Sequence, residues 1–417
     1  MAQDTRRPNA IRGNRRLPLA GEVLKGPTYA SWETTLRCNQ SCRFCGTRAG
    51  HARPDELSTD EAIGLIAQLA EIGVREVAMH GGETFLREDW LTLISAVAAH
   101  GMTPCIVTGG RSVSADMAKR AKGAGLVAAS VSIDGLEVTH DHLRNVPGSY
   151  QGAKRAVREL LGAGVMCACN TQINRQNMRE IPALFHELSQ FPLYGWQVQL
   201  MVPMGRAADE PELVLQPFDL LDIMPMLARL RLLSDQYGIL LWPGDNIGYF
   251  GPFEHTLRDQ RLPDGHSSGC GAGILAIGIE ANGDIKGCSA MGSEGFVAGN
   301  VRRHRLRTLW DEAAELKFMR CFDDSALWGY CATCYYAHVC RAGCVWTSAT
   351  ILGRYGNCPY CHHRALELLA DGKRERLVRV ATAPGTLRDR AEFSLESETA
   401  PADWVGRMRE LNRPLSK

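Results

Sequence analysis

The sequence has little excess charge, no long apolar run and no low-complexity tract. Its 47 Lys and Arg residues almost balance its 46 Asp and Glu residues, and the formal net charge of +1 gives no sign of a nucleic-acid or membrane partner. No apolar stretch approaches the length of a membrane span. Residues 1–22 are basic but lack the apolar core of a secretory signal. These absences predict a cytoplasmic protein that binds neither nucleic acid nor membranes.

Cysteine, by contrast, is abundant and unevenly distributed. Of the 15 cysteines, three lie within residues 38–45 and nine lie between residues 270 and 361. In a reducing compartment such thiols act as metal ligands or catalysts more often than they form disulfides. The other three, Cys105, Cys167 and Cys169, fall on predicted strands. A buried core thiol is the ordinary role there, and a hydrogen-atom donor is the functional alternative.

Residues 29–243 alternate between predicted strands and helices about every 35 residues, the length of a βα pair with its loops. The first strand is "YASWETTL". The helix that follows has a capping box at Ser58 and Glu61 and a glycine stop at Gly73. Six such units predict a parallel sheet, and we expect an α/β fold with a partial (β/α)6 TIM-type barrel.

The composition changes after the barrel. Residues 244–269 are rich in Gly, Pro, His and Asp and are expected to form a bridge. Residues 270–370 are expected to form a small Cys-rich domain of short helices and a β-hairpin, whose turn "ANGD" would bring Cys270 and Cys288 together. The remaining expected units are an N-terminal basic segment, 1–28, and a charged C-terminal tail, 371–417. We expect the tail to be a loose helix.

The first cysteine cluster follows the first strand with the spacing C-x-x-x-C-x-x-C, at Cys38, Cys42 and Cys45. Loops after barrel strands carry the chemistry of this fold. A structural zinc site is one interpretation, although zinc takes four ligands and only His51 is near. The other is an iron–sulfur cluster held by three thiolates, with one iron left open as in catalytic metal sites.

This spacing, with the aromatic Phe44 before the last cysteine, resembles the signature of radical S-adenosylmethionine (SAM) enzymes. The resemblance implies that Cys38, Cys42 and Cys45 hold a [4Fe-4S] cluster whose open iron is chelated by the amino and carboxylate groups of SAM. One electron from the cluster then cleaves SAM to methionine and a 5′-deoxyadenosyl radical, which removes a hydrogen atom from the substrate.

The second strand ends in Gly81, Gly82 and Glu83. These three residues are similar to the Gly-Gly-Glu motif of that family. Glycines let the backbone approach a ligand closely, and the resemblance implies that Glu83 accepts from the amino end of SAM. The family more often has proline at the next position, which is Thr84 here. The alternative is a plain turn after a strand.

The resemblance also implies polar contacts with SAM at the ends of the third and fourth strands. The candidates are Thr108, Ser132, Asp134 and Arg144. Arg144 would pair with the SAM carboxylate through a charge-assisted hydrogen bond. Each of the four could instead serve ordinary loop structure.

The second cysteine region reads C-x(12)-G-x(4)-C and then C-x(2)-C-x(5)-C-x(3)-C. This order resembles the SPASM extension, which carries auxiliary iron–sulfur clusters in radical SAM enzymes that modify peptides and proteins. The resemblance implies one auxiliary cluster on Cys270, Cys288 and Cys344. It implies a second on Cys331, Cys334, Cys340 and Cys358, with Cys361 as the rival of Cys358. Two zinc sites are the alternative for this region.

The first auxiliary cluster has no obvious fourth ligand. Some relatives have one more cysteine shortly before the position of Cys270, and this chain has none there. Asp264, His266 or Cys321 could fill the place, or one iron could stay open.

Two further segments are expected near the barrel mouth. Met201 and Met204, around the end of the sixth strand, are expected to pack there. The loop that contains Asp245, Tyr249 and His255 could supply an acid, a base or a peptide contact, or could be a solvent-exposed bridge.

Together these features predict an oxidoreductase-type peptide maturase that uses SAM, one SAM-binding [4Fe-4S] cluster and two auxiliary clusters, which we expect to be 4Fe-4S. The auxiliary clusters would accept the electron left after bond formation, which favours an oxidative change such as a crosslink in a ribosomally made peptide. The alternatives are a peptide epimerase, an enzyme acting on a tetrapyrrole or another small metabolite, and a non-catalytic iron–sulfur carrier or zinc scaffold.

An electron donor such as flavodoxin or ferredoxin is an expected partner. Many peptide maturases carry a leader-binding domain before the barrel, whereas only about 28 residues precede the first strand here. We therefore expect the leader peptide to be held by a separate leader-binding protein, by the SPASM region or by the tail.

Overall fold

The computed structural model describes residues 25–258, 266–267 and 269–413. Its main feature is a ten-stranded sheet with the order β10-β9-β8-β1-β2-β3-β4-β5-β6-β7. Seven neighbouring strands are parallel: β1 (Tyr29–Thr35), β2 (Glu76–Gly81), β3 (Thr103–Thr108), β4 (Ala128–Ser132), β5 (Met166–Ile173), β6 (Gly195–Leu200) and β7 (Leu240–Pro243). The six predicted strands are confirmed, and β7 extends the barrel sheet by one.

Helices connect these strands, as a parallel sheet requires. They are α1 (Thr59–Ile72), α2 (Trp90–Ala99), α3 (Ala115–Gly123), α4 (Glu137–Arg144), α5 (Ser149–Gly162), α6 (Ile181–Leu188) and α7 (Leu220–Tyr237). The predicted capping box opens α1, with Ser58 and Glu61 each accepting from the backbone of the other. Gly73 ends α1 at φ 101°, a left-handed conformation that favours glycine. The α/β partial barrel is therefore confirmed.

The Cys-rich region joins the same sheet. The predicted hairpin is present as β8 (Ala276–Ile279) and β9 (Asp284–Lys286), and β10 (Gly299–Asn300) pairs with β9. Strand β8 lies parallel to β1, with Ala30 opposite Ile277. The hairpin thus extends the barrel sheet beyond its first strand and places Cys288 next to the end of β9.

One short helix, α8 (Glu254–Arg258), lies before the hairpin, in the segment expected to be a bridge. Short helices follow the hairpin, as the sequence predicts. They are α9 (Leu306–Glu312), α10 (Ala314–Lys317), α11 (Ala337–Cys340), α12 (Val345–Leu352) and α13 (His362–Ala370). The tail was expected to be a loose helix, and this is wrong. It forms an antiparallel hairpin, β11 (Lys373–Ala381) and β12 (Glu392–Thr399), before a last helix, α14 (Trp404–Leu411). Alternating apolar residues such as Leu377 and Leu395 pair across this hairpin.

The large hydrophobic core lies between the sheet and its helices and includes Trp32 and Trp196, both fully buried. Cys167 and Cys169 belong to this core, and Cys105 lies in a small cluster with Ala78. These positions agree with the expectation of buried core thiols. Within the described part of the chain, no helix is long and apolar enough to cross a membrane.

Candidate active site

The loop after β1, residues 36–50, carries the first three cysteines and is called the cluster loop. Its ends are joined because the Cys38 amide donates to the Gly50 carbonyl at 3.0 Å. Arg206, just after β6, holds its middle by donating to the carbonyl oxygens of Cys42 at 2.7 Å and Ala49 at 3.1 Å. A charged donor thus replaces the regular backbone partners that an irregular loop lacks.

The three thiols lie close enough to influence one another. Burial raises the pKa of Cys38 to about 12, and the negative charges of Glu83, Cys42 and Cys45 add to the rise. Burial also raises the pKa of Cys42, while Arg144 opposes that rise. Iron binds the thiolate form, so loading a cluster here releases protons.

Arg144 connects the cluster loop to the fourth strand. Its guanidinium donates to the sulfur of Cys42 at 3.6 Å, forms an ion pair with buried Asp134 and lies 5.2 Å from the ring centroid of Phe44. The structure therefore brings together four residues that the sequence analysis named separately. The buried Nε of Arg144 has no hydrogen-bond partner among the described residues.

Close packing of the backbone requires glycine at positions 81 and 82. A Cβ atom at Gly81 would lie 2.1 Å from the carbonyl oxygen of Thr35, and one at Gly82 would lie 2.1 Å from that of Arg37. The Gly82 amide donates to Thr35 at 2.8 Å. The sequence analysis expected these glycines to let the backbone approach a ligand. In the structure they let it approach the end of β1 and the start of the cluster loop, and a contact with SAM stays a prediction.

Glu83 is buried and held by the end of the third strand. Its carboxylate accepts from the hydroxyl of Thr108 and from the Gly109 amide at 2.6 Å. Burial raises the pKa of Glu83, while these two hydrogen bonds oppose the rise. A nearby cation favours the charged form, as Arg144 already does. Thr108 therefore orients Glu83, a role that the sequence analysis did not assign to it.

The fourth-strand candidates differ in their surroundings. Asp134 accepts from the Gln172 amide at 2.8 Å in addition to pairing with Arg144. Ser132 donates to the side-chain oxygen of Asn170 at 3.2 Å on the neighbouring strand. The structure thus gives Asp134 and Arg144 a joint position beside Cys42, while Ser132 belongs to a β4–β5 contact.

The surroundings of the first thiol trio fit a polar ligand. Among the described residues, Asn39 Oδ1, Gln40 Nε2 and Arg144 Nε are buried and have no hydrogen-bond partner. Such atoms are destabilising unless something satisfies them. All three belong to residues in or against the cluster loop. A ligand with both charges, such as SAM, would offer them partners.

The first auxiliary trio is also grouped. Burial raises the pKa of Cys270, and the nearby Cys344 and Cys288 raise it further. Burial raises the pKa of Cys344 to about 12, where Cys288 and Asp245 also contribute. Asp245 also raises the pKa of Cys288. The carboxylate that follows β7 is therefore near two of the three thiols.

The candidates named from the sequence differ in their surroundings. Cys321 is exposed. The His266 ring contacts the carbonyl oxygen of Ser267 through Nδ1 at 2.9 Å, and Nε2 is the atom that could bind a metal. Asp264 lies outside the described residues. Asp245, named from the sequence only as an acid, base or peptide contact, raises the pKa of Cys288 and Cys344.

Tyr249 separates the two auxiliary sites. Its buried hydroxyl accepts from the Cys344 amide at 2.8 Å and donates to the carbonyl oxygen of Asp245. Its ring also lines the cavity of the second site. Gly343 is required here, since a Cβ atom would lie 2.3 Å from the ring, and its φ is 62°. The sequence analysis placed Tyr249 only in a loop at the barrel mouth.

Five thiols line one cavity in the second auxiliary region: Cys331, Cys334, Cys340, Cys358 and Cys361. Burial raises the pKa of Cys361 to about 12, with contributions from Cys331 and Cys334. Cys361 in turn contributes to the raised pKa of buried Cys340. Burial raises the pKa of Cys358, with contributions from Cys331, Cys361 and Cys340 and also from Cys344 of the first auxiliary site.

Among the described residues, no three His, Cys, Asp or Glu side chains converge as one metal ion requires. A mononuclear zinc site needs its four ligands about 2 Å from one point. Five thiols of the second region instead line one cavity, which is one more than a tetrahedral zinc ion takes.

Sequence reasoning missed Arg206, although it examined the surrounding segment "VPMGRA" for its methionines. Met204 does pack as expected, with its methyl group against Gly46 of the cluster loop. The feature of the sequence that could have identified it is an arginine after a glycine in the loop that follows the sixth strand. His255 lies on the short helix α8.

Comparisons with known proteins agree with this geometry. A family model described as the radical SAM superfamily matches residues 32–188, and one described as an iron–sulfur cluster-binding domain, SPASM, matches residues 270–335. The first segment contains Cys38, Cys42 and Cys45, and the second contains Cys270, Cys288, Cys331 and Cys334. The SPASM segment begins at Cys270.

Two curated proteins of different activity are similar to this chain. The AdoMet-dependent heme synthase of Methanosarcina barkeri is 28% identical, over 82% of this chain and 98% of that protein. The mycofactocin maturase MftC of Mycolicibacterium smegmatis is 28% identical, over 77% of this chain and 79% of that protein.

A solved structure shares the fold. Streptococcus suis SuiB bound to S-adenosylmethionine matches with a TM-score of 0.59 and 17% identity, over 85% of this chain and 78% of that chain. With these two matched domains, this chain is a radical SAM enzyme with a C-terminal SPASM domain.

Proposed function

We propose that this enzyme is a peptide maturase that oxidises a ribosomally made peptide, for example by forming a crosslink. The observation that supports this proposal is that the SPASM domain holds two thiol groups in addition to the three thiols of the cluster loop. Two auxiliary clusters give a path for the electron that an oxidative modification must remove. The similarity to MftC, named as a maturase, supports a peptide substrate.

The first three thiols hold the catalytic cluster in this proposal. When bound, a [4Fe-4S] cluster with SAM supplies a 5′-deoxyadenosyl radical that takes a hydrogen atom from the substrate. Cys38, Cys42 and Cys45 bind its irons. Glu83, oriented by Thr108, accepts from the ammonium group of SAM, and Arg144 binds the SAM carboxylate or orients Cys42.

The auxiliary ligands follow from the grouping of the thiols. Cys270, Cys288 and Cys344 hold one cluster, with Asp245 as the fourth ligand. Carboxylate oxygen is an accepted ligand of iron. We assign the second cluster to Cys331, Cys334, Cys340 and Cys361, because the pKa of the fifth thiol, Cys358, also responds to Cys344 of the first auxiliary site. Cys358, first assigned as the fourth member, then lies between the two sites.

Partners complete the proposal. The SAM cluster needs an external electron, which a flavodoxin or ferredoxin would supply. The leader part of the peptide would be held by a separate leader-binding protein, by the SPASM domain or by the tail. The substrate loses one hydrogen atom to the radical, then one electron to an auxiliary cluster and one proton, which together make a two-electron oxidation.

The test is an anaerobic assay of protein reconstituted with iron and sulfide. Wild-type enzyme is mixed with SAM, a chemical reductant and a synthetic peptide taken from a short reading frame beside the gene. We expect 5′-deoxyadenosine together with a peptide that has lost two hydrogen atoms. If no 5′-deoxyadenosine forms although every cluster is loaded, the radical mechanism is wrong. If it forms and no neighbouring peptide changes mass, the peptide substrate is wrong.

A tetrapyrrole is the second candidate substrate. The match to a heme synthase covers 98% of that protein and 82% of this chain, which favours it. The same assay with an iron tetrapyrrole in place of the peptide decides between them. A changed visible spectrum with stoichiometric 5′-deoxyadenosine would support this candidate, and an unchanged spectrum would reject it.

A further inference from the structure

The C-terminal hairpin reaches the cluster loop through the connection between its strands, residues 382–391, here called the hairpin tip. The tip lies against the end of the barrel. The Gly205 amide donates to the carbonyl oxygen of Asp389 at 2.8 Å, and Met204 and Arg390 form an antiparallel bridge. Residues 388 and 389 of the tip are buried, although the tail was expected to be a loose surface element.

Asp389 holds the cluster loop directly. Its carboxylate accepts two hydrogen bonds from Arg48, one from Nε at 2.8 Å and one from Nη2 at 3.2 Å. Arg48 follows Cys45 by three residues, and its amide donates to the Cys45 carbonyl at 3.3 Å. Asp389 is also fixed within the tip, because it accepts from the Thr386 amide at 3.0 Å. A bidentate pair between two restrained groups fixes both distance and orientation.

The neighbouring residue, Arg388, reaches the first auxiliary site. Its guanidinium donates to the carbonyl oxygen of Ser289, which follows Cys288 in the chain. The same side chain forms an ion pair with the fully buried Glu33 of β1 and lies 3.5 Å from Glu280 beside the β8–β9 turn. Two adjacent residues of the tip therefore contact two different thiol-bearing loops: the cluster loop and the loop that contains Cys288 and Ser289, here called the Cys288 loop.

The backbone at this point is strained. Arg388 has φ 56°, in the left-handed region that a residue with a side chain seldom adopts. Such conformations persist where the surroundings over-determine them, often beside functional sites. At this point Arg388 pairs with Glu33 while the next residue, Asp389, pairs with Arg48.

We propose that Arg388 and Asp389 are positioning residues that fix the SAM-cluster loop and the Cys288 loop relative to each other. This inference rests on the proposed assignment of clusters to those two loops. Hydrogen abstraction and the following electron transfer need a substrate held between the two centres at fixed distances. A displacement of about 1 Å can cost about 10²-fold in rate. The tail therefore belongs to the reaction centre.

Asp389→Asn and Arg388→Gln test this without a substrate. Each removes one charge while keeping a polar side chain. In Asp389→Asn we expect a changed EPR spectrum of the reduced SAM cluster and SAM affinity weakened about tenfold. In Arg388→Gln we expect the spectrum of the first auxiliary cluster to change. Arg388→Lys, which keeps the charge, should restore most of the wild-type spectrum.

Glu398→Gln is the matched control on the same hairpin. It removes the partly exposed pair of Arg374 with Glu398, whose atoms are 2.6 Å apart, and leaves the tip intact. We expect wild-type spectra and SAM affinity from this variant. If Arg388→Gln does not load its clusters, Asp389→Asn and Arg388→Lys still give the comparison.

The inference is overturned if Asp389→Asn and Arg388→Gln have the spectra and SAM affinity of the control, whatever their melting temperatures. A purely structural role would lower the melting temperature without moving either spectrum. These readouts need no peptide. Failure of the peptide assay with normal wild-type spectra would therefore reject the proposed substrate and leave this inference standing.

Discussion

The guanidinium of Arg144 donates to the sulfur of Cys42 at 3.6 Å and at the same time pairs with the buried carboxylate of Asp134. One side chain thus links the cluster loop to the end of β4. Because the pair is buried, loss of one partner leaves the other charge uncompensated. This relationship makes the stability of the SAM site depend on both residues together.

Arg144→Gln should lower the free energy of unfolding by about 3 kcal/mol, since it leaves Asp134 charged and buried alone. The double variant Arg144→Gln/Asp134→Asn should regain at least about 1 kcal/mol of this loss. Anaerobic thermal unfolding of the cluster-loaded proteins measures both values. A double variant whose loss equals the sum of the two single losses would contradict the coupling.

Glu83→Gln should weaken SAM binding about tenfold, or about 1.4 kcal/mol, because a neutral amide replaces a carboxylate as the acceptor for the SAM ammonium group. Isothermal calorimetry under anaerobic conditions gives the affinity. Glu56→Gln, at a carboxylate that also binds cluster-loop backbone through Leu36, is the control. Equal affinities in wild type and Glu83→Gln would show that Glu83 only holds the loop after β3.

Cys361→Ser should remove the second auxiliary cluster, whereas Cys358→Ser should retain it. Both thiols interact with Cys331 and Cys340, but the pKa of Cys358 also responds to Cys344 of the first auxiliary site. Iron content and Mössbauer spectra of the two variants provide the measurement. The opposite result, with the cluster lost only in Cys358→Ser, would restore the assignment made from the sequence.

Asp245→Ala should change the EPR spectrum of the first auxiliary cluster and leave that of the SAM cluster unchanged. The carboxylate lies near Cys288 and Cys344 and would leave one iron open when removed. Cys321→Ser and His266→Ala are controls at the two other described candidates, and both should keep the wild-type spectrum. If the spectrum changes only in one of these two variants, that residue and not Asp245 is the fourth ligand.

Glu280→Gln should lower the free energy of unfolding by about 3 kcal/mol by breaking a buried ion-pair group with Lys286, 2.7 Å away, and Arg53, 2.9 Å away. Although burial alone would raise it, the charges of Lys286 and Arg388 lower the pKa of Glu280 from 4.5 to about 2. The stabilisation is therefore complete above pH 4.5 and is lost as the pH falls toward 2.

The measurement is the difference in melting temperature between wild type and Glu280→Gln at about pH 5 and about pH 7. We expect the same difference at both values, because Glu280 is ionised throughout. A difference that shrinks by half at the lower value would show that the carboxylate titrates there and is less tightly paired than the structure indicates.

Much of the barrel could be predicted because its signals are local. The period of apolar residues and the capping box at Ser58 and Glu61 depend on neighbours within a few turns. The cysteine spacings likewise identify the two metal-binding regions. The prediction for the tail was wrong for the opposite reason. Its charged residues suit an exposed helix, and only the pairing of β11 with β12, supported by Leu377 opposite Leu395, decides the hairpin.

By itself, the sequence determined the order of strands and helices, the three thiols of the cluster loop and the glycines that follow β2. Covalent spacing and side-chain period fix these features along the chain. Only the tertiary structure decided that β8 lies beside β1, that Tyr249 stands between two auxiliary sites and that Arg388 and Asp389 reach both thiol loops. These contacts join residues up to 355 positions apart, and they form because buried charges and backbone groups require partners wherever the fold supplies them.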